Sequence, residues 1–423
     1  MRIAWLGPAR EGGGVPGMGG MLLEGILDRG AEVDLFTTEP DEDIARSLHG
    51  RANLNVIRTD PRWSWDRWYS RKAFMAFLSS TVARARAYGR LCDLLIERNV
   101  QAPYDCIFQL SQTELFKLGR NRKKLPPIVV YPCVHAAGEL RWHRRESAYA
   151  RQSEGTLMHY IARLFLIYRS AVQKRELRKP ALIVGMSRRF NELLSRDYGI
   201  DPRRQAVLYH PIRMSTTGVS SVEEIAGRRE VRPIRMLFVA RISVRKGVEQ
   251  IIELSHRLDD LYGQIQIDVV GDRTQWSNYL AHLKNLNPRT ARYLGPLSHE
   301  ATMAAYADAD ILLLPSMYEP GGLVVGEALS RGVCVVVSDE VGSAEPVEGE
   351  CCRRFPAGDV AEFERQTRKL LEDLRSRPRA LRAMARDQAA KWFAPSKIAD
   401  HLFGILARVT AGGKPLAGSS QEA

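Results

Sequence analysis

Cysteine is scarce in this chain of 423 residues, and the six present show no metal-type spacing. Cys92, Cys106, Cys133, Cys334, Cys351 and Cys352 include no paired C-x-x-C register, which leaves out a zinc ribbon or a dithiol redox site. Cys106, Cys133 and Cys334 fall in apolar, strand-like runs where a reduced, buried thiol is the simplest reading; nothing functional follows from the adjacent Cys351 and Cys352. Long apolar runs are missing too: none reaches the ~20 residues that a membrane span requires. The opening Met1-Arg2-Ile3-Ala4-Trp5-Leu6-Gly7 enters a strand-like run directly and lacks the order of a cleaved signal peptide. Together these features predict a reducing, cytoplasmic setting. Aromatics are only 8% of residues. They are not interleaved with basic residues as stacking platforms, and no nucleic-acid recognition motif appears, so no nucleic-acid partner is expected.

Acidic residues are thin in one region only. From 51 to 200 there are 28 Lys/Arg against 12 Asp/Glu, whereas 1–50 has 4 against 9 and 201–423 has 30 against 28. The net charge of +13 therefore belongs to the first half. A solvated arginine-rich surface accounts for it; so does a surface meeting anionic lipid, a phosphorylated acceptor or nucleic acid. Within 141–179 there are ten Lys/Arg and three Glu, with Leu157, Ile161, Leu164, Phe165 and Tyr168 at helical spacing. Such a helix either covers its own domain or lies on an anionic membrane, the second placing the protein at the inner face of the membrane.

The 45% hydrophobic content and the length suit two ordinary domains. Short apolar runs at 3–6, 33–36, 54–57, 106–110, 128–131, 182–184 and 207–209 are separated by helical or loop segments. The pattern restarts at 236–239, 267–270, 311–314 and 333–337, with helices expected at 248–261, 300–307, 323–331 and 360–375. Near-continuous hydrophobicity in short runs marks parallel strands covered on both faces. The expected fold class is therefore α/β: two doubly wound, Rossmann-like domains, 1–212 and 234–394, joined by a polar linker at 213–233. A last helix at 395–410 is expected to pack back on the first domain, and 411–423 to be a disordered tail.

Four constellations carry chemistry. Glu319 and Glu327 frame a glycine-rich loop and the first turns of the helix after a buried strand. Backbone N–H groups there make an anion site beside two carboxylates that accept sugar hydroxyls. Turn and helix-dipole roles are the bland readings of these two acids. Arg241 and Lys246 follow another buried strand, where a planar fork and a movable charge reach one diphosphate; an exposed basic turn is the alternative. Gly12, Gly13, Gly14, Gly17, Gly19 and Gly20 form a loop before a helix expected near Met21. That loop lacks the Gly-Lys-Ser/Thr ending of a Walker A motif and is not a clean dinucleotide fingerprint. His135 follows the buried run 128–131, as a structural histidine or as a hydrogen-bonding group facing a reacting sugar. Asp308 and Asp310, spaced like a carboxylate metal pair, read as capping residues, so no metal is expected.

These stretches resemble a retaining glycosyltransferase of the GT-B fold, glycosyltransferase family 4. The resemblance rests on 238–247, Ile267-Asp268-Val269-Val270-Gly271-Asp272, 306–332, Gly342-Ser343-Ala344-Glu345 and, more loosely, 187–211. It implies that Arg241 and Lys246 bind the donor diphosphate and neutralise the leaving group. Glu327 would hold the ribose. Glu319 would contact the transferred sugar, and the amides of Gly321, Gly322 and Leu323 would bind the sugar or distal phosphate. His135 would lie near the sugar's 6-position, and Gly13 and Gly14 would line the first-domain side. No cofactor is implied beyond the nucleotide-diphosphate sugar as co-substrate, with a hydroxyl acceptor as the other partner. Where Gly321 and Gly326 stand, the family often has an aromatic and a larger apolar residue, which predicts a more mobile loop. Two other readings stay open: a GT-B sugar-phosphate synthase or phosphorylase, and a nucleotide-sugar or nucleic-acid binding protein without catalysis.

Overall fold

Two parallel sheets organise the computed structural model, which describes residues 1–64, 66–67, 73–111, 114–147, 156–214, 232–273 and 279–412. The first sheet contains β1 (Arg2–Leu6), β2 (Glu32–Thr37), β3 (Leu54–Arg58), β4 (Cys106–Ser111), β5 (Ile128–Pro132), β6 (Leu182–Gly185) and β7 (Gln205–Val207), in the order β3-β2-β1-β4-β5-β6-β7. The second contains β8 (Ile234–Val239), β9 (Ile265–Val270), β10 (Ala291–Gly295), β11 (Ile311–Leu314), β12 (Cys334–Ser338) and β13 (Cys352–Phe355), in the order β10-β9-β8-β11-β12-β13. The helices of the first half are α1 (Gly14–Asp28), α2 (Ala73–Gln101), α3 (Phe116–Asn121), α4 (Ala136–Arg145), α5 (Thr156–Glu176) and α6 (Arg188–Tyr198). Those of the second are α7 (Val248–Arg257), α8 (His299–Asp308), α9 (Leu323–Leu329), α10 (Val360–Ser376), α11 (Pro378–Trp392) and α12 (Pro395–Thr410).

The central strands β5, β6, β11 and β12 are buried at every residue. That is why their sequences are unbroken apolar runs: a parallel strand between two helical layers has no wet face. Each sheet reverses its order at its first strand, β1 or β8, so the loops leaving β1, β4, β8 and β11 stand at topological switch points, where doubly wound folds bind ligands. Helix α12 lies against α1: the Arg29 guanidinium pairs with Asp400 at 2.7 Å, and a Cβ on Gly25 would meet the Ala399 side chain at 2.3 Å.

Several expectations need correcting. The apolar run 207–209 is not the strand; β7 ends at Val207, and beyond it the Leu208 carbonyl accepts from the Tyr131 hydroxyl as the chain leaves the sheet edge. The glycine run is not a loop ending near Met21. Helix α1 begins at Gly14, and its glycines permit close packing: a Cβ on Gly17 would meet the Gly12 carbonyl oxygen at 1.9 Å, and one on Gly19 the Pro8 carbonyl oxygen at 2.1 Å. Strands β10 and β13 were missed. Both are edge strands whose arginines interrupt the apolar signal; Arg292 pairs with Asp268 at 2.6 Å, and Arg353 pairs with Asp373. Most of the expected linker, 215–231, and nearly all of the expected tail, 413–423, lie outside the described residues.

Candidate active site

The loop after β8 closes over the end of β11. Gly247 adopts φ 80°, and a Cβ there would meet the Pro315 carbonyl oxygen at 2.1 Å, so only glycine lets Lys246 turn in at this place. The Arg245 carbonyl accepts from Met317 N at 2.8 Å, fixing this loop to the one that carries Glu319. The result is an ion pair between Lys246 Nζ and the Glu319 carboxylate, with side chains 14% and 15% exposed. Burial, then the guanidiniums of Arg245 and Arg241, pull the Lys246 ammonium well below its usual range. The carboxylate in contact with it opposes that shift.

Lys246, Glu319 and the exposed Arg241 line one cavity of about 540 Å³. Gly321, Gly322 and Leu323 share its wall from the second domain, and Val15, Cys133, Met186 and His210 face them from the first. Glu327 is not in that cavity. It lines a neighbouring space of about 370 Å³ with Gly13, Gly14, Arg213, His299 and Arg331; Leu323 borders both. Burial raises the Glu327 carboxyl above its usual range, opposed by His299 and Arg331. Gly13 comes close enough to this wall that a Cβ would sit 3.0 Å from His299 Nδ1.

His135 lines neither cavity. Its ring is sealed behind the wall, with Nδ1 2.7 Å from the Tyr318 hydroxyl and Nε2 3.0 Å from Asp197. Burial lowers its pKa to about 4, with Asp197 opposing, so the imidazole is neutral. Gly138 makes the contact possible: a Cβ there would meet the Tyr318 hydroxyl at 2.0 Å. Because Tyr318 immediately precedes Glu319 and His135 belongs to the first domain, the pair ties one domain to the Glu319 loop of the other.

The loop 319–322 is further clamped from both sides. The Ser187 hydroxyl caps α6 by accepting from Phe190 N at 2.9 Å and donates to the Pro320 carbonyl at 2.6 Å. Gly342 N donates to Glu319 O at 2.9 Å and Ser343 N to Gly321 O at 3.1 Å. The Glu345 carboxylate reaches across to accept the N–H groups of Arg188 and Arg189 at 2.8 and 2.7 Å, at the first turn of α6.

Residues 223–392 match the family model of glycosyl transferases group 1. The match spans about two fifths of the chain and lies almost wholly in the second domain. A glycogen synthase of Mycobacterium tuberculosis is 33% identical over 161 residues, 37% of this chain and 39% of that protein. The chain thus aligns with about two fifths of the length of that curated relative. Among solved structures, the sucrose-phosphate synthase of Thermosynechococcus elongatus superposes with a TM-score of 0.66 at 18% identity, covering 97% of this chain and 100% of the other. Anabaena HepE in complex with UDP-glucose gives 0.60 at 16% identity, covering 96% and 99%. The architecture is that of a GT-B protein: two Rossmann-like domains across a cleft.

Two glycines of the second domain that depart from the resemblance find their reason in packing. Gly321 is buried, and a Cβ there would sit 2.6 Å from Met186 Sδ and 3.2 Å from His210 Cε1. A Cβ on Gly326 would meet Ile212 at 2.5 Å and Phe393 at 3.2 Å. Side chains from elsewhere occupy the space that an aromatic and a larger apolar residue would take. Met186 and His210 are the site residues that sequence reasoning missed. His210 is 8% exposed, its Nε2 has no hydrogen-bond partner among the described residues, and burial lowers its pKa to about 4. The signal available was its place beside Pro211, after β7 at the domain crossing.

Proposed function

We propose that this chain is a retaining glycosyltransferase that moves a hexosyl group from a nucleotide-diphosphate sugar to a hydroxyl acceptor. The observation that carries this is the convergence of Arg241, Lys246 and Glu319 on one cavity bounded by Gly321 and Gly322. Departure of a diphosphate builds negative charge on its oxygens while the sugar becomes oxocarbenium-like. Arg241 and Lys246 are fixed cations at the end of β8, positioned for that charge before it forms, so the step is proposed to run without a metal. Lys246 is held by Glu319, which in turn lies where it would contact the transferred sugar. Glu327 is assigned the ribose hydroxyls, Leu323 marking the border between the sugar and nucleoside compartments. Gly13 and Gly14 line the nucleoside side from the first domain. For His135 the proposal is a positioning role through Tyr318. Retention is proposed to occur on one face, with a donor phosphate oxygen assisting removal of the acceptor proton.

The test is a panel of nucleotide sugars screened for thermal stabilisation, followed by donor hydrolysis and transfer. A binding donor at ~100-fold excess over its dissociation constant adds about 2.7 kcal/mol. Arg241→Ala should lower transfer strongly with the fold intact, and EDTA should leave turnover unchanged. Full turnover in Arg241→Ala would remove the donor-site assignment. A sugar-phosphate acceptor is the second reading, favoured by the basic first half, with 28 Lys/Arg against 12 Asp/Glu over 51–200. Activity on phosphorylated but not free sugars would select it.

A further inference from the structure

On α5 the outward face is the apolar one. Leu157, Leu164 and Tyr168 are 73%, 66% and 66% exposed, and Tyr160 and Ile167 are also exposed. At 3.6 residues per turn these five fall within about 100–120° of arc and form a stripe roughly 17 Å long. The opposite face is the packed one: Ala162 and Leu166 are buried, and Gln173 binds Ala136 N at 2.8 Å and the Val134 carbonyl at 2.6 Å. Single exposed apolar residues are ordinary, but a continuous stripe of large ones on a helix marks a contact surface.

Charge says what covers it. Helix α5 carries Arg163, Arg169, Lys174 and Arg175, and its only carboxylate, Glu176, is buried against Lys179 and Arg175. Arg175 lies on the line of the stripe at its C-terminal end, with its side chain 72% exposed. Lys174 falls at the stripe's edge. The surrounding region 51–200 has 28 Lys/Arg against 12 Asp/Glu. An apolar face bordered by cations, with no exposed carboxylate of its own, matches the boundary between acyl chains and anionic headgroups. We infer that α5 lies in the surface of an anionic membrane, its Leu157–Tyr168 side immersed and its C-terminal cations on the headgroups. The anchoring through Gln173 to Val134 and Ala136 fastens this surface next to Cys133, which lines the cavity of Lys246 and Glu319, so a membrane-held acceptor would arrive from the first-domain side.

Flotation of the full chain with phosphatidylcholine vesicles, with and without phosphatidylglycerol, tests this. The protein is expected to float with the mixed vesicles at low salt, to be released at high salt, and to stay behind with phosphatidylcholine alone. Leu164→Glu combined with Tyr168→Glu should lower the bound fraction at least tenfold. Lys174→Glu with Arg175→Glu should abolish the phosphatidylglycerol dependence. All four positions are surface ones, and an unchanged circular dichroism spectrum checks the fold. Failure to float with mixed vesicles, or flotation unchanged by the Leu164 and Tyr168 variant, overturns the inference. So does a dimer in sedimentation that this variant dissociates, which would make a second copy the occupant. None of these outcomes depends on turnover, so the transferase reading stands or falls separately.

Discussion

Lys246→Met is the perturbation that asks most of the proposed site. It keeps the length of the side chain and removes the charge that faces Glu319. Breaking a buried ion pair by deleting one partner strands the other, which typically destabilises by about 3–5 kcal/mol. Here the loss has a ceiling, because Glu319 can escape by taking up a proton. From an ordinary glutamate pKa of about 4.3, neutralisation at pH 7 costs about 3.7 kcal/mol, at about 1.36 kcal/mol per unit. The destabilisation should therefore shrink by about 1.4 kcal/mol for each unit of acidification below pH 7. Turnover should fall on the order of 100- to 1,000-fold, the loss expected when a preorganised charge is taken from a developing anion. Adding Glu319→Gln separates the two effects. The double variant should recover stability to within about 1 kcal/mol of the parent and recover none of the turnover. Urea denaturation across pH 5–7 gives the first quantity, and single-turnover transfer gives the second. Recovery of turnover in the double variant would show that the pair merely holds the loop, and the assignment of Lys246 to the leaving group would be abandoned.

Gly321→Phe should destabilise by about 1–3 kcal/mol through overpacking against Met186 and His210, and Met186→Ala in the same chain should recover part of it; thermal unfolding of the three variants reads this. His210→Phe keeps a ring and removes both nitrogens; stability should hold or rise while the donor KM increases several-fold, and an unchanged KM would take His210 off the donor wall. His135, His143 and His210 each have a pKa lowered to about 4 by burial. The unfolded chain takes up these protons near pH 6.5 while the folded one does not, so stability should fall as pH drops from about 6.5 to 4. The slope is up to about 1.4 kcal/mol per unit for each histidine, measured by urea titration.

The second domain was more legible than the first for a physical reason. The residues proposed to hold the donor are local: Arg241, Lys246 and Gly247 lie within seven residues, and Glu319 to Leu323 within five, each following a strand whose apolar run announces itself. The first domain contributes single residues from separate loops, Val15, Cys133, Met186 and His210, and only the fold brings them to one wall. His135 shows the limit most clearly. Its position after β5 suggested a group facing the sugar, but Tyr318 of the opposite domain fills the place in front of it through the gap at Gly138. No pattern in 131–136 encodes that insertion. The edge strands β10 and β13 were missed because paired arginines interrupt them, whereas the interior strands were read because both their faces are dry.

The cleft is held shut by bonds that also shape the Glu319 loop, so closure and completion of the proposed site are expected to be one event. The first-domain hydroxyl of Ser187 bonds the carbonyl of Pro320, next to Glu319, and the second-domain carboxylate of Glu345 caps α6, the helix that Ser187 begins. Opening the domains would break the Ser187–Pro320 bond and remove the Glu345 cap together, releasing the loop. Glu345→Ala removes the acceptor for two N–H groups at the first turn of α6, a loss of about 1 kcal/mol if the helix alone felt it. Because the acceptor comes from the other domain, the same loss should favour the open arrangement. The expected signature is a larger radius of gyration in solution scattering and a weaker donor affinity, with both effects diminished once saturating donor draws the domains together. Glu345→Gln keeps an acceptor oxygen and should fall in between. If Glu345→Ala lost its 1 kcal/mol with the radius and donor affinity unmoved, the cap would be a helix device only, and the coupling between domain closure and the Glu319 loop would have to come from the Tyr318–His135 contact instead.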